Sequence, residues 1–161
     1  MNEKKTEMAY LKVGDKAPGF NSINQDGEII SLDDFKGSKV IIYFYPKADT
    51  PGCTAESCNL RDNYDDLLNK GFKIIGVSPD KPEKQKKFAD KYNLPFPLIA
   101  DAGLEVIKAF GAWGVKKMYG REYEGLLRTT YVIDGNGVIE KVFPKVKTKD
   151  HADQILEAMN N

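Results

Sequence analysis

The feature that most constrains the fold of this sequence is an uninterrupted apolar run at residues 40–45, which ends at Pro46. A continuous run of this length is typical of a strand covered on both faces, as in the sheets of α/β proteins. Proline has no backbone N–H for a sheet ladder, so Pro46 marks the end of the strand. The run therefore predicts a buried central strand with other elements packed on each side of its sheet.

The segments around this strand alternate between strand and helix patterns. Turn signals at 24–27 and 134–137 predict two β-hairpins, at 20–32 and 129–143. The other predicted strands are 72–77 and 98–100. Four helices are predicted from apolar stripes: at Leu60, Tyr64, Leu67 and Leu68; within 82–92; at Leu104, Ile107 and Phe110; and at Ala152, Ile155, Leu156 and Met159. The last of these follows Asp150, a residue suited to capping a helix. This order predicts an α/β protein with a central mixed sheet flanked by helices and an N-terminal hairpin. The pattern is compatible with a thioredoxin-like fold and also with other α/β arrangements.

Length and charge bound the number of domains and the classes of partner. The 161 residues fit a single domain over 1–161, with a loose polar leader at 1–12. The 24 basic and 24 acidic side chains cancel, so a nucleic-acid partner is not expected, because phosphate binding needs a basic face. The sequence has no apolar run long enough to span a membrane, and its polar start lacks a secretion signal, so a cytoplasmic location is expected.

The chain has two cysteines, Cys53 and Cys58, and a single histidine, His151, far away in sequence. Two thiols and one distant imidazole make an incomplete ligand set, so no metal is expected. In a reducing compartment two thiols this close are a candidate redox pair. Two buried apolar cysteines fit the spacing about as well. His151 is expected at the start of the last helix, facing solvent and without a catalytic role.

Cys53 follows residues that favour the start of a helix. Thr50 suits the N-cap position, and Pro51 suits the first helical position, where no N–H is needed. Cys53 would then lie in the first turn, where unpaired N–H groups and the helix dipole stabilise an anion such as a thiolate. Gly52, with no side chain, would let another molecule approach the backbone closely.

Helix geometry separates the two thiols. Five residues along a helix place Cys58 about 140° around the axis from Cys53, with Cα atoms about 8.7 Å apart. A disulfide rarely tolerates more than about 7 Å between Cα atoms. The two cysteines therefore either never pair or pair only after the start of the helix unwinds.

Arg128 opens the strand predicted at 129–133. An arginine beside buried residues needs an anionic partner or water. From the pattern alone, an exposed charge at the mouth of a strand is a slightly better interpretation than a functional group.

The spacing of Pro46, Thr50 and Cys53, with Cys58 five positions later, resembles the peroxiredoxin family, and in particular its bacterioferritin comigratory protein or PrxQ subfamily. The resemblance covers about residues 10–160. Supporting matches lie at 60–62, 76–78, 80–82, 112–114 and 128–130.

The resemblance implies a thioredoxin-like fold, no cofactor and a specific set of site residues. By similarity Cys53 is the peroxidatic cysteine and Cys58 the resolving cysteine, with a disulfide between them. Thr50 would hold the thiolate and the peroxide through its hydroxyl, and Pro46 would pack over the site and restrict water. Arg128 would be the active-site arginine, with backbone N–H groups at Gly52 and Cys53 as further donors. Glu56 would orient that arginine.

The function implied is a thioredoxin-dependent peroxidase that reduces hydrogen peroxide and organic hydroperoxides. The expected partners are a peroxide substrate and thioredoxin or a similar dithiol, with a monomer or weak dimer as the assembly. Two other functions fit the same fold: a thiol–disulfide oxidoreductase and a non-catalytic thioredoxin-like binding protein. The first normally has a Cys-x-x-Cys pair, which this sequence lacks, and the second has no need of Thr50, Pro51 and Cys53 at one helix start.

Overall fold

The computed structural model describes residues 10–160, apart from the side chain of Met118. The predicted leader at 1–12 therefore lies mostly outside the described residues. Near the end of this segment, the Leu11 amide donates a hydrogen bond to the Tyr131 hydroxyl (3.1 Å), which ties residue 11 to β8.

The described residues form nine strands and five α-helices. In chain order they are β1 (Asn21–Ile23), β2 (Ile29–Ser31), a 3-10 turn (Leu32–Phe35), β3 (Lys39–Phe44), α1 (Pro51–Asp62), α2 (Tyr64–Asn69), β4 (Phe72–Ser78), α3 (Pro82–Tyr92), β5 (Leu98–Ala100), α4 (Glu105–Ala109), β6 (Trp113–Met118), β7 (Arg121–Leu126), β8 (Thr129–Ile133), β9 (Ile139–Phe143) and α5 (His151–Met159).

The central sheet has five strands in the order β5-β4-β3-β8-β9. Strand β3 runs parallel to β4 and antiparallel to β8, and β4 runs parallel to β5. The sheet is therefore mixed, as the sequence predicted, and β1 and β2 form the predicted N-terminal hairpin. The predicted fold class, a thioredoxin-like α/β fold, is confirmed.

Strand β3 is buried on both faces, as its apolar run predicted. Ile41 and Tyr43 point into the core shared with α1, α2, α3 and α5. Ile42 and Phe44 point into the core on the opposite face, shared with α4. After β3 the chain continues into α1, which packs on the same face of the sheet as Ile41 and Tyr43. Among the described residues, no helix is long and apolar enough to cross a bilayer.

The predicted helix through Leu60 and Leu67 is two helices rather than one. It breaks at Asn63, whose backbone leaves helical geometry (φ −107°, ψ 13°). The Asn63 side-chain amide donates to the Asn59 carbonyl (2.8 Å) and so competes for a helical acceptor. The apolar stripe continues across the break, which is why the pattern concealed it.

A hairpin of β6 and β7 was not predicted. Its turn places Tyr119 and Gly120 at positive φ (54° and 78°), and tyrosine is not a usual signal for such a turn. Most of β7 is exposed, so its sequence lacks the alternation of a half-buried strand.

Candidate active site

The start of α1 has the geometry that the sequence predicted. Thr50 is the N-cap residue in extended conformation, and Pro51 begins the helix, so Cys53 occupies the third helical position. The Thr50 side chain does not cap the helix. Its hydroxyl instead donates to the Lys47 carbonyl (2.8 Å). This bond holds the loop after β3 and leaves the lone pairs of the Thr50 oxygen free to accept a hydrogen bond.

Cys53 is fully buried, and a cation touches its sulfur. The Arg128 guanidinium donates from Nη2 to Cys53 Sγ at 3.3 Å. Gly52 makes this approach possible, since a Cβ at this position would lie 3.2 Å from Arg128 Nη2. A thiolate at this position would therefore lie against a cation and beside the unpaired N–H groups of the first helical turn.

The same guanidinium also binds a buried carboxylate. Arg128 Nη1 donates to Glu56 Oε1 at 2.8 Å, and Glu56 is fully buried one turn after Cys53. Burial lowers the pKa of Arg128, but the charges of Cys53 and Glu56 outweigh it and leave that pKa above its ordinary value. Burial raises the pKa of Glu56 to about 7, against the opposing effect of Arg128. The structure thus brings Cys53, Glu56 and Arg128 together.

Strand β6 supplies a second cation that the sequence did not suggest. Lys116 is close enough to Arg128 for the two like charges to interact. Burial is the larger cause of its lowered pKa, the Arg128 charge adds to the effect, and Cys53 opposes it. The side chain runs along Gly125 in β7, where an added Cβ would lie 3.3 Å from Lys116 Cδ. The unpredicted hairpin therefore borders the site.

His151 begins α5 as predicted, but the expectation that it faces solvent is wrong. It is fully buried, with Nε2 2.8 Å from Thr130 Oγ1 and Nδ1 2.9 Å from Gln154 Oε1. Nε2 is also 3.6 Å from Glu56 Oε2. Burial lowers the pKa of His151 to about 4; Arg128 contributes, and the Gln154 hydrogen bond opposes. The groups that face Nε2 come from α1 and β8, which the local sequence around His151 does not reveal.

Cys58 lies on the same unbroken helix in different surroundings. It is half-buried, and both cysteines are free. Burial raises the pKa of the Cys58 thiol, Arg61 opposes this, and Asp62 adds to it. The neighbouring residue Asn59 ties the helix to α5, because its side chain accepts from the Ala152 amide (2.7 Å) and donates to the Lys149 carbonyl (3.0 Å).

Two further observations concern predicted features of the site. Pro46 follows β3 and is half-buried. Within residues 10–160, no group of three or more His, Cys, Asp or Glu side chains is arranged to hold a metal ion.

Comparison with known proteins decides the family. The model of the AhpC/TSA family matches residues 13–142, which is most of the chain. The chain belongs to this family. It is 49% identical to peroxiredoxin Bcp of Escherichia coli K12 over 149 residues, 92% of this chain and 96% of that protein. It is 45% identical to a putative peroxiredoxin bcp of Haemophilus influenzae over 154 residues, 96% of this chain and 99% of the relative.

Solved structures agree with this membership of the AhpC/TSA family. Peroxiredoxin Q of Xanthomonas campestris superposes with a TM-score of 0.82 at 33% identity, covering 88% of this chain and 89% of its own. A second structure concerns alkyl peroxide reduction by the bacterioferritin comigratory protein of the same organism (TM-score 0.82, 32% identity, 88% of this chain and 90% of that one). The resemblance to the Bcp and PrxQ peroxiredoxins is therefore confirmed.

Proposed function

We propose that this chain is a thiol-dependent peroxidase that uses Cys53 to reduce hydrogen peroxide and organic hydroperoxides. The contact between Arg128 Nη2 and Cys53 Sγ at a helix start is the observation that carries the proposal. A buried sulfur with a guanidinium against it is suited to nucleophilic attack, because the thiolate is the reactive form of cysteine. The peroxiredoxin relatives support the same reaction.

In the first step the Cys53 thiolate attacks one oxygen of the peroxide. A sulfur lone pair forms the S–O bond, and the O–O bond breaks with its electron pair on the departing oxygen. That oxygen takes up one proton and leaves as water or an alcohol, while Cys53 becomes a sulfenic acid. The sulfur is oxidised by two electrons and the peroxide is reduced by two.

Negative charge moves from the sulfur to the departing oxygen, so fixed donors along this path lower the barrier. Arg128 supplies a charged donor at the sulfur end of this path, because Nη2 contacts Cys53 Sγ while Glu56 holds Nη1 in place. The Gly52 and Cys53 amides belong to the unpaired N–H groups of the first helical turn. The Thr50 oxygen is suited to accept the O–H of the peroxide, since its own proton is donated to Lys47. Pro46 is proposed to limit access of water.

In the second step Cys58 resolves the sulfenic acid. Its thiol displaces water from Cys53, forming the S–S bond. Both residues lie in an intact helix, where their Cα atoms are about 8.7 Å apart, so the start of α1 must unwind first. A dithiol such as thioredoxin then reduces the disulfide by thiol exchange. We place the enzyme in the cytoplasm as a monomer or weak dimer, with no nucleic-acid partner.

Two single substitutions test the assignment of the cysteines. Cys53→Ser removes the nucleophile, so peroxide consumption should vanish. Cys58→Ser should consume one equivalent of peroxide at the normal rate and then fail to turn over with thioredoxin. Mass analysis after one equivalent should give a peptide joined through Cys53 and Cys58 in the unsubstituted protein only. Normal turnover by Cys53→Ser would overturn the proposal.

A further inference from the structure

Behind Arg128 lies a buried polar cluster that the peroxide step does not use directly. It consists of Glu56 from α1, Thr130 from β8, and His151 and Gln154 from α5. Glu56, Thr130 and His151 are all fully buried. Burial of three polar side chains in one place is costly unless they are hydrogen-bonded, so their arrangement needs a reason.

The hydrogen bonds of Gln154 fix the protonation of the histidine ring. Gln154 Nε2 donates to the Lys145 carbonyl (2.8 Å), and Oε1 accepts from the Lys147 amide (2.9 Å). Oε1 is therefore an acceptor, and His151 Nδ1 must carry the proton that it shares with Oε1 (2.9 Å). In the neutral ring Nε2 is then an acceptor, and it receives the Thr130 hydroxyl proton.

Glu56 faces this acceptor with its free oxygen. Oε1 is bound by Arg128, but Oε2 has no hydrogen-bond partner among the described residues and lies 3.6 Å from His151 Nε2. Two acceptors face each other across this gap, so a proton on one of the two groups relieves the repulsion between their lone pairs. The raised pKa of Glu56, about 7, and the lowered pKa of His151, about 4, place that proton on Glu56.

Other ionisable groups near the pair come from every element packed against it. Arg128 precedes β8, and Cys53 lies one turn before Glu56 on α1. Tyr43 on β3 interacts with the Glu56 charge, and its pKa is raised well above its ordinary value, mainly by burial. On the α5 side, Gln154 is an uncharged partner, and the loop before α5 contacts Gln154 through the backbone of Lys145 and Lys147.

We propose that His151 is a positioning residue for the peroxide step: it orients the Glu56 carboxyl group and thereby sets the placement of Arg128 against Cys53. The inference rests on the role proposed above for Arg128. Because Glu56 Oε1 holds Nη1 and Cys53 holds Nη2 of the same rigid guanidinium, a rotation of the carboxyl group moves the donor at the sulfur. His151 fixes that rotation from the opposite side.

A double-mutant cycle on the first turnover tests the proposal. His151→Phe keeps the shape of the ring but removes the group facing Oε2, and it should lower the second-order rate constant with peroxide about tenfold, because small misplacements at a reacting centre are costly. On a Glu56→Gln background the same substitution should cost about twofold or less. Equal losses on the two backgrounds would overturn the proposal, since they mean that His151 does not act through Glu56.

The pH dependence of the peroxide rate constant is a second test, because substitution of a purely structural residue would not shift it. The rate constant of the unsubstituted protein should show an inflection near pH 7 from Glu56, and Glu56→Gln should lack it. His151→Gln should fold readily and shift the inflection to lower pH, because an amide donor stabilises the ionised carboxylate. An inflection unchanged by His151→Gln would contradict the proposal even if His151→Phe does not fold.

Two controls separate other causes. Asn59→Ala breaks the neighbouring contacts between α1 and α5 without touching Glu56, and it should leave the peroxide rate constant within about twofold. A loss as large as that of His151→Phe would mean that general weakening of this interface is responsible. If Arg128→Met leaves the rate unchanged, the role of Arg128 itself is wrong; if only the His151 variants leave it unchanged, this inference alone fails.

Discussion

Cys53 and Cys58 lie five residues apart on one helix, yet their surroundings differ in almost every respect. Cys53 is fully buried in the first turn with a guanidinium nitrogen 3.3 Å from its sulfur. Cys58 is half-buried in the third turn, and burial raises the pKa of its thiol. Position on the helix and the groups packed against it therefore give the same side chain two different environments. The strongest way to break this difference is to remove the cation.

Arg128→Met should slow the reaction of Cys53 with peroxide by about a hundredfold, because it removes the charged donor at the sulfur. The rate constant of Arg128→Lys should lie between those of the unsubstituted protein and Arg128→Met, since an ammonium group keeps the charge but cannot bind Glu56 and Cys53 with two fixed nitrogens. Stopped-flow measurement of the first turnover checks both. Alkylation of Cys58 in a Cys53→Ser background is the matched control and should not respond to Arg128. Equal effects at the two cysteines would remove the distinction drawn above.

Glu56→Gln tests the surroundings of Cys53 through the pH dependence of the free energy of unfolding. The pKa of Glu56 is raised from 4.5 to about 7, so its contribution to stability is full below pH 4.5 and is lost as the pH rises through 7. The pKa of His151 is lowered from 6.5 to about 4, so its contribution is full above pH 6.5 and is lost as the pH falls through 4. The two contributions offset each other between about pH 4.5 and 6.5.

Glu56→Gln removes the Glu56 contribution, so only the His151 contribution to the pH dependence remains. Its free energy of unfolding should therefore fall relative to the unsubstituted protein, by about 2 kcal/mol, between pH 7.5 and pH 4.5. Urea unfolding at several pH values measures this difference. A constant difference across the range would show that Glu56 does not bind a proton there. Glu140→Gln, at a half-buried carboxylate paired with Lys39 on β3, is the control.

Gly52→Ala is expected to have the smallest effect. Its Cβ would lie 3.2 Å from Arg128 Nη2, so the guanidinium must shift by a few tenths of an ångström, and the peroxide rate constant should fall about threefold. The same change stabilises the start of α1 by up to about 1 kcal/mol, since alanine is the better helix former. Disulfide closure with Cys58 should therefore slow as well. Rates of both steps, measured separately, test this; a faster closure would contradict the requirement for unwinding.

Much of the site could be predicted because its signals are local. The buried strand, the stop at Pro46 and the start of α1 at Thr50 and Pro51 each follow from a few neighbouring residues, and Cys53 follows from them by counting. The bounds of α3 were predicted for the same reason, from Pro82 to Tyr92. Predicting the contact between Arg128 and Glu56 required the family resemblance, because the two residues are 72 positions apart in the sequence.

What could not be predicted depends on contacts between distant segments. His151 looks like an ordinary polar residue at a helix start, but residues distant in sequence, among them Glu56, Thr130 and Phe143, pack against its buried ring. Lys116 lies on an exposed hairpin whose strands pair with each other. Such a hairpin has no apolar pattern in its sequence, so neither the hairpin nor the proximity of Lys116 to Arg128 could be predicted. The break at Asn63 is hidden because the buried stripe runs through it.

In the proposed mechanism, the position of Glu56 between the two cysteines makes the resolving step depend on pH. If the helix opens over the whole stretch from Cys53 to Cys58, it opens at residue 56 as well, and the carboxyl group leaves the interior and Arg128. In water that group has an ordinary acid strength, so opening releases its proton and becomes easier as the pH rises through about 7. The movement that lets the thiols meet also dismantles the peroxide site, so an opened molecule cannot accept a second peroxide until it refolds.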